Sequence, residues 1–64
     1  MIFQFHKMRL ERIRQLKSLE TLAAETGEAV STLQRAENGV GSPRLLLVAA
    51  VAAALNVDLR EWLA

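Results

Sequence analysis

The 64-residue chain contains no cysteine and no tyrosine, and only one histidine and one proline. Without cysteine there is no disulfide staple, no thiolate metal site and no thiol nucleophile. His6 alone cannot assemble a zinc site and reads as a surface residue. A glycine-rich phosphate loop and a paired acid–histidine grouping are also missing. The sequence therefore predicts no enzyme activity, no metal, no cofactor and no small-molecule ligand. The longest apolar run, Leu45 to Leu55, falls well below the roughly 20 residues of a membrane span. The opening "MIFQFHKMRLER" is broken by charge before it reaches signal-peptide length. A cytoplasmic protein with no membrane partner is expected.

What is present is small and unevenly charged. A domain of this length buries only about 60% of the surface its unfolded chain exposes, so residues 1–64 are read as a single domain. The formal charge is +1. Residues 1–17 nevertheless carry Lys7, Arg9, Arg12, Arg14 and Lys17 against Glu11 alone, a net +4, which leaves −3 for the rest. Such a segment attracts phosphate, or it is simply a solvated helix face.

The pattern is helical throughout. "MIFQF" reads equally as a short edge strand, an arm packing on a partner, or a fraying helix start. From about Lys7 to Lys17, Leu10, Ile13 and Leu16 recur every three residues as one helical stripe. Ser18 is placed to cap a second helix from Leu19, which Gly27 ends. A third helix from Ala29–Val30 to Glu37 stops at Asn38-Gly39. Ser42 and Pro43 open a fourth, from about Pro43 to Leu55. Asp58 caps a short fifth helix, Leu59 to Leu63. Five short helices without a sheet make a compact all-α domain, and the second and third are spaced as in a helix-turn-helix over about residues 19–37. Leu22, Leu33, Ala36, Val48, Ala52 and Leu55 are the expected core.

The ordered set Ser18, Leu22-Ala23, Gly27, Ser31-Thr32-Leu33, Glu37-Asn38-Gly39, Pro43, Leu45, Val48, Ala52, Leu55 and Val57 resembles the phage repressor and Cro-like (XRE-type) helix-turn-helix family. The resemblance covers roughly residues 10–63. It implies a five-helix, lambda-repressor-like fold with double-stranded DNA as partner. It also implies base-facing roles for Val30, Ser31, Thr32 and Arg35, with Arg35 suited to bidentate contact with guanine. Gln34 offers a further side chain able to read a base edge. Asn38 and Arg44 match positions that touch phosphate in relatives. The chain departs from the family at Leu19, in place of a glutamine, at Glu28, in place of an apolar turn residue, and at Ala29, in place of a serine cap.

Eleven consecutive apolar residues cannot all face inward from one helix. Leu46, Leu47 and Ala50, with Trp62, are therefore expected at a homodimer or partner interface. For Trp62, packing in the monomer core is the other reading. Two functions follow from these residues. One is a homodimeric, sequence-specific transcriptional regulator on a pseudo-palindromic operator. The other is a helix-turn-helix-shaped protein-interaction module that binds DNA weakly or not at all. Glu37 is expected in a structural hydrogen bond or ion pair. Arg35 faces DNA or pairs with a neighbour such as Glu28.

Overall fold

The computed structural model describes residues 2–64; Met1 lies outside it. Four α-helices follow one another, α1 (Phe5–Arg14), α2 (Leu19–Thr26), α3 (Val30–Glu37) and α4 (Leu45–Ala54), with a 3-10 turn over Leu59–Trp62. The fifth helix expected from the sequence is thus a single tight turn. Asp58 caps it by accepting from the Arg60 N–H at 3.0 Å. Hydrogen bonds from Arg60 lower the Asp58 carboxyl to about 2.

All six expected core residues are buried, joined by Met8, Leu47, Val51 and Trp62. Phe3, Leu19, Ala23, Ala54, Val57 and Leu59 pack around them. Among the described residues there is no named strand, only one isolated antiparallel bridge between Phe3 and Leu63. Around it Gln4 N–H donates to the Trp62 carbonyl at 2.7 Å and Ala64 N–H to the Ile2 carbonyl at 2.8 Å. The opening residues are therefore pinned beside the closing ones.

The helix ends follow their caps. Ser18 Oγ accepts from the Thr21 N–H, and Gly27 ends α2 in the left-handed conformation, φ 76°. Three helices finish with the same paired bonds, in which two N–H groups beyond the last turn reach back to carbonyls within it. They are Leu16 and Lys17 onto Ile13 and Arg12, Gly39 and Val40 onto Ala36 and Arg35, and Asn56 and Val57 onto Ala53 and Ala52. The motif needs a positive φ, and Leu16, Gly39 and Asn56 supply it. Glycine and asparagine tolerate that region, whereas leucine is strained there by about 1–2 kcal/mol. Leu16 is also 92% exposed, so its side chain buries nothing in return. Leu16→Gly is expected to stabilise the fold by about 1 kcal/mol, since glycine's extra unfolded-state freedom offsets part of the relieved strain. A rise in the urea midpoint checks this, and a lowered midpoint would mean that Leu16 carries less strain than glycine's unfolded-state freedom costs.

Three expectations need correction. The stripe Leu10, Ile13 and Leu16 points to solvent, the first two being 62% and 46% exposed. The side of α1 that docks carries Met8, Glu11, Arg12 and Gln15. Polar chemistry decides this orientation. Gln15 Nε2 donates to the Leu55 carbonyl at 2.7 Å and Lys17 Nζ to the Ala54 carbonyl at 3.0 Å. Both carbonyls lie at the end of α4, where the helix has no further N–H to offer.

The second correction concerns the start of α4. Arg44, not Ser42, is its N-cap, with an extended backbone and no side-chain cap bond. Residues 42–44 form a lead-in outside the helix, and the first helical bond runs from Val48 N–H to the Arg44 carbonyl at 3.1 Å. The third is that Leu47 and Trp62, expected at an interface, are each only 2% exposed and belong to the core of the monomer.

Candidate nucleic-acid interface

The turn Gly27–Ala29 lets α3 cross α2 while its apolar side enters the core. Leu33, Ala36 and Glu37 are the buried residues of α3. The opposite side then has no choice but to face outward, because side chains three and four apart share a helix face. Ser31, Gln34 and Arg35 are exposed there, with Asn38 exposed at the end, while Val30 and Thr32 are half-buried at its edges. Ser31 and Arg35, four apart, lie near the centre of this outward arc.

A buried ion pair fixes the far end of α3. Arg12 Nε donates to Glu37 Oε2 at 2.6 Å and Arg12 Nη2 to Oε1 at 3.0 Å. Arg12 Nη1 also reaches the Lys17 carbonyl at 2.8 Å. The Glu37 side chain is 4% exposed. Hydrogen bonding to its carboxylate raises the pKa of Arg12 above the ordinary arginine value. Two parallel bonds set angle as well as distance, so α1 holds α3 at a defined pitch. The structural role expected of Glu37 is met by a residue 25 positions away.

Phe5 supports the same corner. A Cβ on Gly39 would come within 2.7 Å of the Phe5 ring, and Gly39 has φ 72°. A side chain there would have to push the Phe5 ring aside and adopt a left-handed backbone, both of which glycine avoids, and the loop to α4 leaves α3 at that point.

Beyond Gly39 the extended loop forms one wall of a shallow groove of about 230 Å³, with Val40, Ser42, Pro43 and Arg44 facing Thr32 and Arg35. The two arginines differ. Among the described residues no carboxylate pairs with Arg35, so the expected alternative of a Glu28 partner does not arise. Glu28 instead pairs with Arg44, whose Nη2 lies 3.1 Å from both carboxylate oxygens. This pair was missed in the sequence because its members stand 16 residues apart.

The basic first segment is largely neutralised. Besides Arg12, Arg14 pairs with Glu11 at 2.7 Å and Lys17 with Glu25 at 2.9 Å. Hydrogen bonds from Arg14 and Gln15 lower the Glu11 pKa. Lys7 and Arg9 have no ion pair among the described residues. Leu19, where the family places a glutamine, is half-buried and packed against the core.

Of the residues expected at an interface, Leu46 is 82% exposed and Ala50 is half-buried on the outer side of α4. Among the described residues there is no group of histidine, cysteine or carboxylate side chains able to hold a metal. No helix among them is long and apolar enough to cross a membrane.

Comparison with known proteins agrees with this architecture. A helix-turn-helix family model matches residues 8–62. The restriction-modification controller protein C.AhdI from Aeromonas hydrophila superposes with a TM-score of 0.85 at 29% identity, covering 91% of this chain and 88% of that one. SinR, the master regulator for biofilm formation, solved in complex with DNA, gives 0.85 at 26% identity over 94% of this chain and 97% of that one. The N-terminal DNA binding domain of SinR from Bacillus subtilis gives 0.85 at 26% identity, over 94% and 88%. No curated protein matches the chain. Of these neighbours, C.AhdI is a controller protein and SinR a regulator with a DNA-binding domain. The chain belongs to the XRE-type, Cro/repressor-like helix-turn-helix family.

Proposed function

We propose that this chain is a sequence-specific DNA-binding transcription regulator that acts as a homodimer on a pseudo-palindromic operator. Val30, Ser31, Thr32, Gln34 and Arg35 face bases, and Asn38 and Arg44 face phosphate. The observation that carries the reading is the outward face of α3. It is polar, projects clear of the core, and has near its centre an arginine with no ion pair among the described residues. A helix so presented fits a major groove about 12 Å wide. Two such helices would enter successive grooves of half-sites one helical turn apart. Duplex binding at about 50 and about 200 mM salt tests it, because each phosphate neutralised steepens the loss of affinity with salt. Undetectable binding at the lower salt would end the reading.

The dimer rests on α4. Leu46, Ala50 and Ala53 lie on one side of it, and exposed leucine beside small residues suits close helix approach across a two-fold axis. Leu46→Glu is expected to shift sedimentation from dimer to monomer at micromolar concentration, with circular dichroism at room temperature showing the fold retained. An unchanged dimer would place the contact elsewhere. If the wild-type chain is itself monomeric, the exposed Leu45 and Leu46 favour the second reading, a module that docks a different polypeptide through α4.

A further inference from the structure

The Glu28–Arg44 pair borders the outward face of α3, since Arg44 lines the groove shared with Thr32 and Arg35. Glu28 sits in the turn between α2 and α3, and its backbone N–H donates to Thr26 Oγ1 at 3.4 Å. That bond and the left-handed Gly27 fix where the carboxylate emerges. Its side chain is 24% exposed, while that of Arg44 is 67% exposed. Arg44 is the N-cap of α4 and forms the rim of the groove shared with Thr32 and Arg35. Its guanidinium uses only Nη2 on Glu28, and no hydrogen bond of its Nε or Nη1 occurs among the described residues. Arg44 is therefore held sideways by one partner, with its remaining donors open to solvent.

We propose that Glu28 is an affinity-limiting residue of the DNA-binding surface: its carboxylate retains Arg44 in the unbound protein, and a phosphate of the duplex must displace it. This rests on the DNA-binding reading above. An arginine fork binds phosphate and carboxylate with the same geometry, so the two anions compete for one cation. The exchange is close to balanced because the pair is exposed and screened by salt. Of the seven acidic residues in the chain, Glu28 alone meets an arginine of the proposed DNA-facing set in an ion pair among the described residues. Glu37, on the same helix, is turned inward and occupied by Arg12. Glu28 therefore weakens binding without touching a base, and does so for every sequence alike.

A double-mutant cycle tests this with a fluorescent duplex selected from a random-sequence pool and a second duplex of unrelated sequence. Glu28→Gln is expected to tighten binding about two- to fivefold at about 50 mM salt, the range that an exposed ion pair supplies. The gain should be the same on both duplexes and should shrink as salt rises, because salt screens the Glu28–Arg44 pair that the variant removes. Arg44→Ala should weaken binding, and adding Glu28→Gln to it should give no further gain, because the carboxylate then has no cation to retain. Thermal melts of each variant confirm that the fold is intact. Glu28→Gln with no gain overturns the proposal. So does an equal gain with and without Arg44, which would make Glu28 a plain repulsive charge. Wild-type protein that binds neither duplex overturns the DNA-binding reading itself, an outcome distinct from the other two.

Discussion

Arg12→Ala should destabilise the fold severely. The substitution strands the Glu37 carboxylate, 4% exposed, without its cation, and breaking one side of a buried pair costs about 3–5 kcal/mol. Domains hold about 0.05–0.15 kcal/mol of stability per residue, about 3–10 kcal/mol for 64 residues, so a loss of that size removes a large share of it. Arg12→Lys should recover only part, since an ammonium cannot reproduce the two parallel bonds. Arg12→Met combined with Glu37→Leu should be far more stable than Arg12→Ala, because no charge is then left buried and apolar groups fill the space. Urea unfolding followed by circular dichroism reads all three. An Arg12→Ala loss below about 1 kcal/mol would show that Glu37 finds water or another donor. The pair would then be an ordinary surface bridge.

Arg35→Ala should weaken binding to the selected duplex about ten- to a hundredfold, the discrimination of one good bidentate base contact. Stability should be unchanged, because Arg35 is exposed and no hydrogen bond of its side chain occurs among the described residues. The decisive comparison is between duplexes. A base contact makes the loss large on the selected sequence and small on an unrelated one. A phosphate contact makes it uniform and lowers the salt slope by about 0.9. A variant that binds both duplexes as the wild type does would remove Arg35 from the interface. It would also leave the outward face of α3 without its strongest donor.

The helix-turn-helix unit was legible because its signals are local. Ser18 before Leu19, Gly27 after Thr26 and Asn38-Gly39 after Glu37 each mark an end within a few residues of its cause. Of the six expected core residues, Leu22, Leu33 and Ala36 followed from helical spacing, while Val48, Ala52 and Leu55 came with the family resemblance. The first helix misled for a physical reason. Its apolar residues recur at Leu10, Ile13 and Leu16, but α1 turns the opposite side inward, where Arg12 meets Glu37 and Gln15 meets the end of α4. No pattern within residues 5–16 reveals a partner at position 37 or 55. The fourth helix misled differently. A run of eleven apolar residues carries no polar face to set its rotation, so adjacent leucines could not be told apart. Leu46 lies outside and Leu47 inside. Trp62 sat on the same boundary and is buried in the core.

The bridge between Phe3 and Leu63 brings residue 2 beside residue 64, with Ile2 N–H 3.3 Å from the Ala64 carbonyl. A short peptide tether across the gap would turn the chain into a ring with little change to its backbone. Closing a loop of this length removes on the order of 4 kcal/mol of entropy from the unfolded ensemble. The cyclic form would then tolerate a new pair of ends at the exposed Leu16 turn, where permuting the chain would also release its one left-handed leucine.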